Sequence, residues 1–223
     1  MLDRSIIDEV RHGKLTYLGP DRLSSLYQCI DEIRTTQAPG DFLEFGIALG
    51  GSGICLARAL DAGRRYLGFD VFGMIPPPSS ADGEDVAARY DVIASGTSHG
   101  IGGDRYYGYV ENLFDVVTDN FTRFGCAPDQ ARILLVKGRF EETLPATNVG
   151  AIALAHLDCD WYEPVSYCLD YVWPRLSPGG YIVIDDYNDW SGCRTATDEF
   201  LASRPGAELL RSSPHAVIRK PTD

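Results

Sequence analysis

Residues 151–162 read AIALAHLDCDWY, an apolar run that ends abruptly in two carboxylates, Asp158 and Asp160. A second apolar run, residues 181–184, ends in the same way at Asp185 and Asp186. Apolar runs of roughly four to eight residues predict buried strands. In an open α/β sheet, ligands bind just beyond the carboxyl ends of such strands. The two strand ends therefore predict one site that contains several carboxylates.

Carboxylates at close range repel one another unless a cation or protons lie among them. We therefore predict a divalent metal site. Oxygen ligands favour Mg²⁺ or Ca²⁺ over zinc, and a small number of carboxylates favours Mg²⁺. The alternative is that these acids are helix caps and solvated turn residues. That explanation suits a single aspartate better than four at two strand ends.

Length and composition limit the class of protein. A chain of 223 residues predicts a single domain, 1–223, and 44% hydrophobic and 23% charged residues are ordinary values for a globular protein. The net charge of −12 argues against nucleic acid or an anionic membrane as a partner. The pattern of the first residues predicts no signal peptide, no apolar run predicts a membrane span, and the six scattered cysteines contain no Cys-x-x-Cys pair. These features predict a cytoplasmic protein with reduced thiols.

A glycine-rich turn follows the first predicted strand, residues 42–46, and leads into a helix near residues 54–60. This layout allows backbone N–H groups to approach a ligand. A P-loop would need lysine where Ser52 stands, which argues against a triphosphate. The turn also lacks the dinucleotide pattern, because Ile47 and Ala48 follow Gly46. A ligand with a cationic head and a ribose remains, and Glu44 could neutralise such a head.

The second predicted strand, residues 65–70, ends in Asp70, about 20 residues after the glycine turn, where an acid can bind ribose hydroxyls. Its alternative role is a cap or turn residue. Residues 71–105 are rich in proline, serine and glycine and predict a long, poorly ordered, lid-like insertion. His99 within it is a candidate base or ligand, although a solvated loop histidine is the favoured interpretation.

Strands and helices alternate through the rest of the chain. Helical spacing starts at Asp21 and ends at Pro39, and further helices are predicted at 106–124, 165–172 and 195–203. A third strand spans 131–136, a turn spans 176–180, and residues 207–211 and 215–219 pair as an antiparallel ribbon. This order predicts a doubly wound, mainly parallel α/β sheet.

Several of these motifs together resemble the macrocin O-methyltransferase family over roughly residues 41–200. The resemblance is carried by the segments 44–46, 50–52, 68–70, 137–140, 157–163, 176–187 and 192–200. The departures are Cys159, where glycine is usual, and Trp161, where leucine is usual. Members of this family are metal-dependent enzymes that use S-adenosylmethionine to methylate sugar hydroxyls of natural products.

The resemblance implies a Rossmann-like, seven-stranded class I methyltransferase fold with a C-terminal antiparallel strand. It implies that Asp158, Asp185 and Asp186 hold Mg²⁺ and that Asp160 is the general base. It also implies a homodimer, a glycosylated small-molecule acceptor, and no nucleic-acid or membrane partner. The residues that it assigns to the S-adenosylmethionine pocket are Glu44, Gly46, Gly50, Ser52, Asp70, Gly138, Arg139, Phe140 and Asp158.

Such a site would activate a hydroxyl whose own pKa lies far above neutral. A bound Mg²⁺ lowers that pKa, and a carboxylate then removes the proton. Two adjacent oxygens could chelate the metal, so we predict a vicinal diol acceptor. Trp161, Tyr162, Tyr187 and Trp190 either form a wall of the acceptor site or belong to the core. Arg194 either pairs with one of the acids or lies in a surface ion pair.

Three other functions remain open from the residues alone. A catechol-type O-methyltransferase would share the sheet and a related metal site. A metal-dependent glycosyltransferase can also place acids after an apolar strand, although the glycine turn and the second acidic strand end argue against it. A non-catalytic binding protein on the same fold is the third alternative.

Overall fold

The computed structural model describes residues 2–222, which form one seven-stranded sheet in the order β3-β2-β1-β4-β5-β7-β6. The strands are β1 (Asp41–Phe45), β2 (Tyr66–Asp70), β3 (Ile133–Lys137), β4 (Ile152–Leu157), β5 (Leu176–Ile184), β6 (Glu208–Arg211) and β7 (Ala216–Arg219). The helices are α1 (Ser5–His12), α2 (Pro20–Thr36), α3 (Gly51–Arg58), α4 (Glu84–Ala94), α5 (Leu113–Arg123), α6 (Phe140–Ala146), α7 (Tyr162–Val172) and α8 (Ser191–Ser203).

The predicted topology is confirmed. Strands β1 to β5 pair in parallel, and β7 pairs antiparallel with both β5 and β6. The chain reverses its direction of winding between β1 and β4, which are neighbours at the centre of the sheet. In doubly wound sheets this reversal opens a crevice beyond the carboxyl ends of the strands. The fold therefore places the acids that follow β4 and β5 at the crevice.

The apolar runs form strands because both faces of the sheet are covered. Every residue of β1, β2 and β4 is buried, as expected for parallel strands between two helical layers. One layer contains the buried faces of α1, α2, α3 and α5, and the other contains those of α6, α7 and α8. Two apolar cores therefore hold the sheet rigid at the level of the crevice.

Four elements differ from the expectations. The prediction of a poorly ordered insertion is wrong for Glu84–Ala94, which forms helix α4. Helix α5 begins at Leu113 rather than at residue 106. Helix α6 was not predicted, because it spans only seven residues and contains Pro145. The expected turn at 176–180 is instead an irregular start of β5, where the register with β4 shifts between Ile152 and Leu154.

Two statements on the described residues bear on the expectations from composition. The six cysteines are all buried and free, in agreement with the prediction of reduced thiols. Across residues 2–222, no helix has both the length and the apolar character that a bilayer crossing requires.

Candidate active site

The structure brings the three predicted metal ligands together. Strands β4 and β5 are parallel neighbours and end side by side, with Leu157 paired to Ile184. Asp158 follows the first strand, and Asp185 and Asp186 follow the second. Each of these three aspartates offers a carboxylate oxygen, and the three oxygens lie within 4.8 Å of one another.

Asp160 reaches the same region through the turn that follows β4. In a continuing strand Asp158 and Asp160 would lie on the same face, but β4 ends at Leu157. The backbone of Asp160 is left-handed, with φ of 59°, a conformation that aspartate tolerates better than most residues. Its N–H donates to Oδ2 of Asp186 at 3.2 Å. The chain turn therefore ties Asp160 to the neighbouring strand end.

The negative charge of Asp185 is balanced by neighbouring basic side chains. Its Oδ2 lies 2.6 Å from Nη1 of Arg22, and its Oδ1 lies 3.1 Å from Nδ1 of His215 and 3.8 Å from Nε2 of His156. Burial opposes ionisation, but these partners outweigh it and hold the pKa of Asp185 below its usual value. Burial would likewise lower the pKa of His156, yet the carboxylates of Asp185 and Glu44 raise it to about 10.

The charges and hydrogen bonds around Asp158, Asp160 and Asp186 do not offset their burial. Burial and the neighbouring carboxylates raise the pKa values of Asp158 and Asp186 well above the usual range, although the positive charge of His156 works in the opposite direction at Asp158. Burial also raises the pKa of Asp160 to about 6, although a hydrogen bond from Trp190 and the positive charge of Arg89 work in the opposite direction. A hard divalent cation would relieve this repulsion and would accept these oxygen donors. The residues that are present therefore fit a magnesium site.

Two cavities meet at this cluster. The first cavity encloses about 750 Å³ including its mouth, and the second encloses about 1060 Å³ on the same measure. The residues that line both are Gly46, Asp70, Ile75, Tyr107, Asp158, Asp160 and Trp161. A molecule in each cavity could therefore contact its neighbour beside Asp158 and Asp160.

The predicted cofactor residues divide into two groups. Those that line the first cavity are Gly46, Asp70, Arg139, Phe140 and Asp158, and Ser52 lines the second. Glu44, Gly50 and Gly138 line neither cavity. Glu44 is fully buried, where it accepts hydrogen bonds from the hydroxyl of Tyr66 and from Nδ1 of His156. Gly50 lies beneath the turn against Phe121, where it begins α3.

Asp70 is both a turn residue and a residue of the cavities. Its Oδ2 accepts the N–H groups of Ile47 at 2.6 Å and Ala48 at 3.2 Å, and its Oδ1 accepts that of Phe72 at 2.6 Å. It therefore fixes the turn after β1 and also faces both cavities. Gly46 in that turn has φ of 88°, and a Cβ there would collide with the carbonyl oxygen of Asp158.

The remaining candidates lie in different places. Trp161 and Trp190 line the second cavity, with ring centroids 5.8 Å apart. The hydroxyls of Tyr162 and Tyr187 instead bond to acids on α8, and Arg194 donates to the carbonyl of Tyr187 at 3.1 Å rather than to the acidic cluster. His99 is exposed and lines neither cavity.

Several residues of the second cavity were not predicted from the sequence. Arg22 at the start of α2 and Arg89 on α4 supply its positive charge, and Tyr17 and Tyr106 supply aromatic surface. The guanidinium carbon of Arg89 lies 5.7 Å from the centroid of the Tyr106 ring. Tyr17 and Arg22 precede β1, and Arg89 and Tyr106 lie between β2 and α5, so all four are far from the cluster in sequence. No local motif marks them.

Comparison with known proteins agrees with this architecture. Residues 7–210 match the family model described as macrocin O-methyltransferase. The chain is 34% identical over 190 residues to the 8-demethyl-8-(2,3-dimethoxy-α-L-rhamnosyl)-tetracenomycin-C 4′-O-methyltransferase of Streptomyces olivaceus, which covers 83% of this chain and 67% of that protein. It is 31% identical over 191 residues to the mycinamicin III 3″-O-methyltransferase of Micromonospora griseorubida, covering 83% and 69%.

Among solved structures, the O-methyltransferase NovP aligns with a TM-score of 0.78 and 24% identity, over 94% of this chain and 83% of that chain. At that identity the likeness shows the fold, and it confirms the predicted class I methyltransferase architecture. The family match covers most of the chain and confirms the predicted enzyme class. This chain belongs to the macrocin O-methyltransferase family and is an O-methyltransferase.

Proposed function

We propose that this enzyme moves the methyl group of S-adenosylmethionine to one hydroxyl of a vicinal diol on a sugar of a natural-product glycoside, with Mg²⁺ bound by Asp158, Asp185 and Asp186. The observation that carries the proposal is the junction of two cavities at a cluster of uncompensated aspartates. Methyl transfer needs two reactants in contact and a means of activating an alcohol, and this junction can provide both.

The first cavity suits the methyl donor. Asp70 faces it at the end of β2, where an acid can accept hydrogen bonds from ribose hydroxyls. Arg139 and Phe140 line its far side, and the ring of Phe140 packs edge-on against Phe45 with centroids 5.6 Å apart. A flat apolar ring held in place in this way suits an adenine base. The fold is also shared by an O-methyltransferase from Bacillus cereus solved with S-adenosylhomocysteine.

The three carboxylates would hold the metal. When bound, Mg²⁺ lowers the pKa of a coordinated hydroxyl and orients it. Among the described residues, Asp158 and Asp186 form no ion pair with a basic side chain, while His156, His215 and Arg22 keep Asp185 ionised and fixed in direction. The carboxylates of Asp158 and Asp186 can therefore reorient to bind a cation, whereas that of Asp185 is already oriented.

Asp160 is the proposed general base. Its pKa of about 6 leaves it ionised at neutral pH while it remains more basic than an ordinary aspartate. It faces both cavities, so it can accept the hydroxyl proton as the oxygen attacks the methyl carbon. The carbon–sulfur bond breaks as the carbon–oxygen bond forms, and the by-product is S-adenosylhomocysteine.

The second cavity suits a glycoside acceptor. It is the larger of the two, and Trp161, Trp190 and Tyr106 give it aromatic surface against which a sugar ring or an aglycone can pack. Two relatives are named for methylation at the 4′ and 3″ positions of their substrates. A vicinal diol is the acceptor that can direct two oxygens to one metal ion.

An acceptor screen with labelled S-adenosylmethionine tests this function. We expect methyl transfer to glycosides with a free vicinal diol, and loss of transfer when EDTA removes divalent ions and recovery when Mg²⁺ is restored. Matched glycosides with one of the two hydroxyls blocked should not react. Turnover that persists in EDTA, or turnover confined to catechols, would overturn the proposal.

A further inference from the structure

The insertion that follows β2 contacts the chain immediately after Asp160. The indole N–H of Trp161 donates to the carbonyl of Pro76 at 3.0 Å, and the backbone N–H of Tyr162 donates to Oδ1 of Asp82 at 2.8 Å. Both acceptors belong to the insertion. The residues next to the proposed base are therefore held by a segment about 80 positions earlier in the chain.

A second contact of the same kind lies beside it. The backbone N–H of Ser191, at the start of α8, donates to Oδ2 of Asp85 at 2.9 Å. Helices α7 and α8 begin after Trp161 and Trp190, and neither of these tryptophans caps its own helix with a side chain. The first N–H groups of a helix need acceptors, and a carboxylate there also interacts favourably with the helix dipole. Asp82 and Asp85 supply those acceptors from another part of the fold.

Asp82 is fitted closely between the two helix starts. A Cβ on Gly192 would collide with its Oδ1, so the second residue of α8 must be small for the carboxylate to reach Tyr162. Its other oxygen, Oδ2, accepts the N–H of Ser79 at 2.9 Å, which closes a short turn within the insertion. Both carboxylate oxygens of Asp82 are therefore occupied, and the side chain has a single orientation.

These contacts concern the proposed base because Asp160 lies in a turn whose position depends on hydrogen bonds to other segments. It lies outside β4 in a left-handed backbone conformation, and its own N–H is tied to Asp186. The two residues after it are bonded to the insertion. Movement of the insertion away from α7 would release the chain on that side and would change the direction of the Asp160 carboxylate.

We infer that Asp82 and Asp85 are positioning residues: from the insertion they fix the starts of α7 and α8, and Asp82 thereby fixes the Asp160 carboxylate at the junction of the two cavities. This inference rests on the proposed role of Asp160. The insertion would therefore have two roles: its residues line the cavities, and its contacts with α7 and α8 hold the turn that contains Asp160.

The test compares Asp82→Ala with Asp82→Asn. Alanine removes the acceptor of the Tyr162 N–H, and we expect kcat to fall about 10- to 100-fold. Because Asp82 also lines the first cavity, KM for S-adenosylmethionine is measured in the same variants, and the positioning role predicts a larger change in kcat than in KM. Asparagine keeps an acceptor oxygen and should restore most of the activity. Hydrogen exchange of the amides of residues 160–163 should accelerate in the alanine variant. The matched control is Asp91→Ala, which changes an exposed aspartate of α4, the helix that follows Asp82 in the insertion, and should behave as wild type.

The outcomes separate this inference from the proposed function. Wild-type kcat in Asp82→Ala, or an asparagine variant as impaired as the alanine variant, overturns the positioning role. If Asp160→Asn is itself fully active, the proposed function fails first. Should Asp82→Ala not fold, the Asp85→Ala and Asp85→Asn pair is compared in the same way at the start of α8, with exchange followed at residues 190–193.

Discussion

Four strands of this sheet carry acids at or just beyond their carboxyl ends, but the surroundings of Glu44 in β1 and Asp70 in β2 differ from those of the acids that follow β4 and β5. Glu44 is bonded on both oxygens to Tyr66 and His156, and Asp70 accepts three backbone N–H groups. Burial raises the pKa of Asp70 in spite of these bonds, but Asp158 and Asp186 receive no comparable set of partners and their pKa values rise well above the usual range. Similar sequence patterns therefore give acids that are already hydrogen-bonded by the protein at β1 and β2, and acids with few partners after β4 and β5.

The difference lies in the supply of partners. A buried carboxylate that the fold has already bonded stabilises the turn that it holds. A buried carboxylate without partners costs free energy in the empty protein and binds a cation or a proton more readily. Asp185 is intermediate, since Arg22 and His215 compensate it while it still faces the cluster. Mutation should therefore have opposite consequences in the two groups.

The largest expected effect is on Asp160. Asp160→Asn keeps the shape of the side chain but removes the base, and we expect kcat to fall by roughly 10²–10⁴-fold. Binding of S-adenosylhomocysteine should be unchanged, as measured by calorimetry. Asp170→Asn, an exposed aspartate on α7, is the control for a general loss of charge and should have wild-type activity. A fully active Asp160→Asn enzyme would remove Asp160 from the role of base.

A smaller effect is expected at Asp70. Asparagine offers a single acceptor oxygen. Its NH₂ group would face a backbone N–H group that donates to the carboxylate in the wild-type protein. We expect Asp70→Asn to lower the free energy of unfolding by about 1–3 kcal/mol in urea denaturation. An unchanged midpoint would mean that the three hydrogen bonds contribute little to the turn.

The opposite sign is expected at Asp186. Its folded-state pKa is raised, so its contribution to stability is complete below the unfolded value and is lost as the pH rises through the folded value. Asp186→Asn does not titrate, and the metal-free variant should therefore be more stable than metal-free wild type at neutral pH. The two should converge at acidic pH. Denaturation curves in EDTA across this range measure the difference, and a less stable variant at neutral pH would contradict the account.

The smallest effect concerns Arg89, whose charge lowers the pKa of Asp160. Because Asp160 must be ionised to accept a proton, activity is lost as the pH falls through its pKa. Arg89→Gln removes the opposing charge, so the acidic limb of the kcat profile should move to higher pH, while Arg89→Lys should leave it in place. A limb that does not move in the glutamine variant would show that Arg89 does not act on the base.

The sequence was sufficient to predict the sheet and the convergence of the acids, for physical reasons. The apolar runs at β1, β2, β4 and β5 are those of strands buried on both faces, and parallel neighbours bring their carboxyl ends to one edge. The side-chain direction of Glu44 could not be predicted, because a strand buried on both faces has no apolar–polar alternation to show which face an acid occupies.

The remaining errors and omissions depend on long-range contacts. Arg22 pairs with Asp185 across 163 positions of the chain, and no local pattern marks such a pair. Helix α4 follows a segment rich in proline and glycine, which is typical of a loop, so the start of the helix was not predicted. Its first turn contains Glu84 and Asp85, and only two of its residues, Val86 and Ile93, are buried, so the apolar periodicity was weak.

The most direct test of the uncompensated cluster is a calorimetric titration of Mg²⁺ into the metal-free enzyme and into its Asp186→Asn and Asp70→Asn variants. We predict a single bound Mg²⁺ with a rise in Tm for wild type and for Asp70→Asn, and no measurable binding for Asp186→Asn. Equal binding by all three proteins, or none by wild type, would contradict the assignment of these strand-end aspartates to a metal.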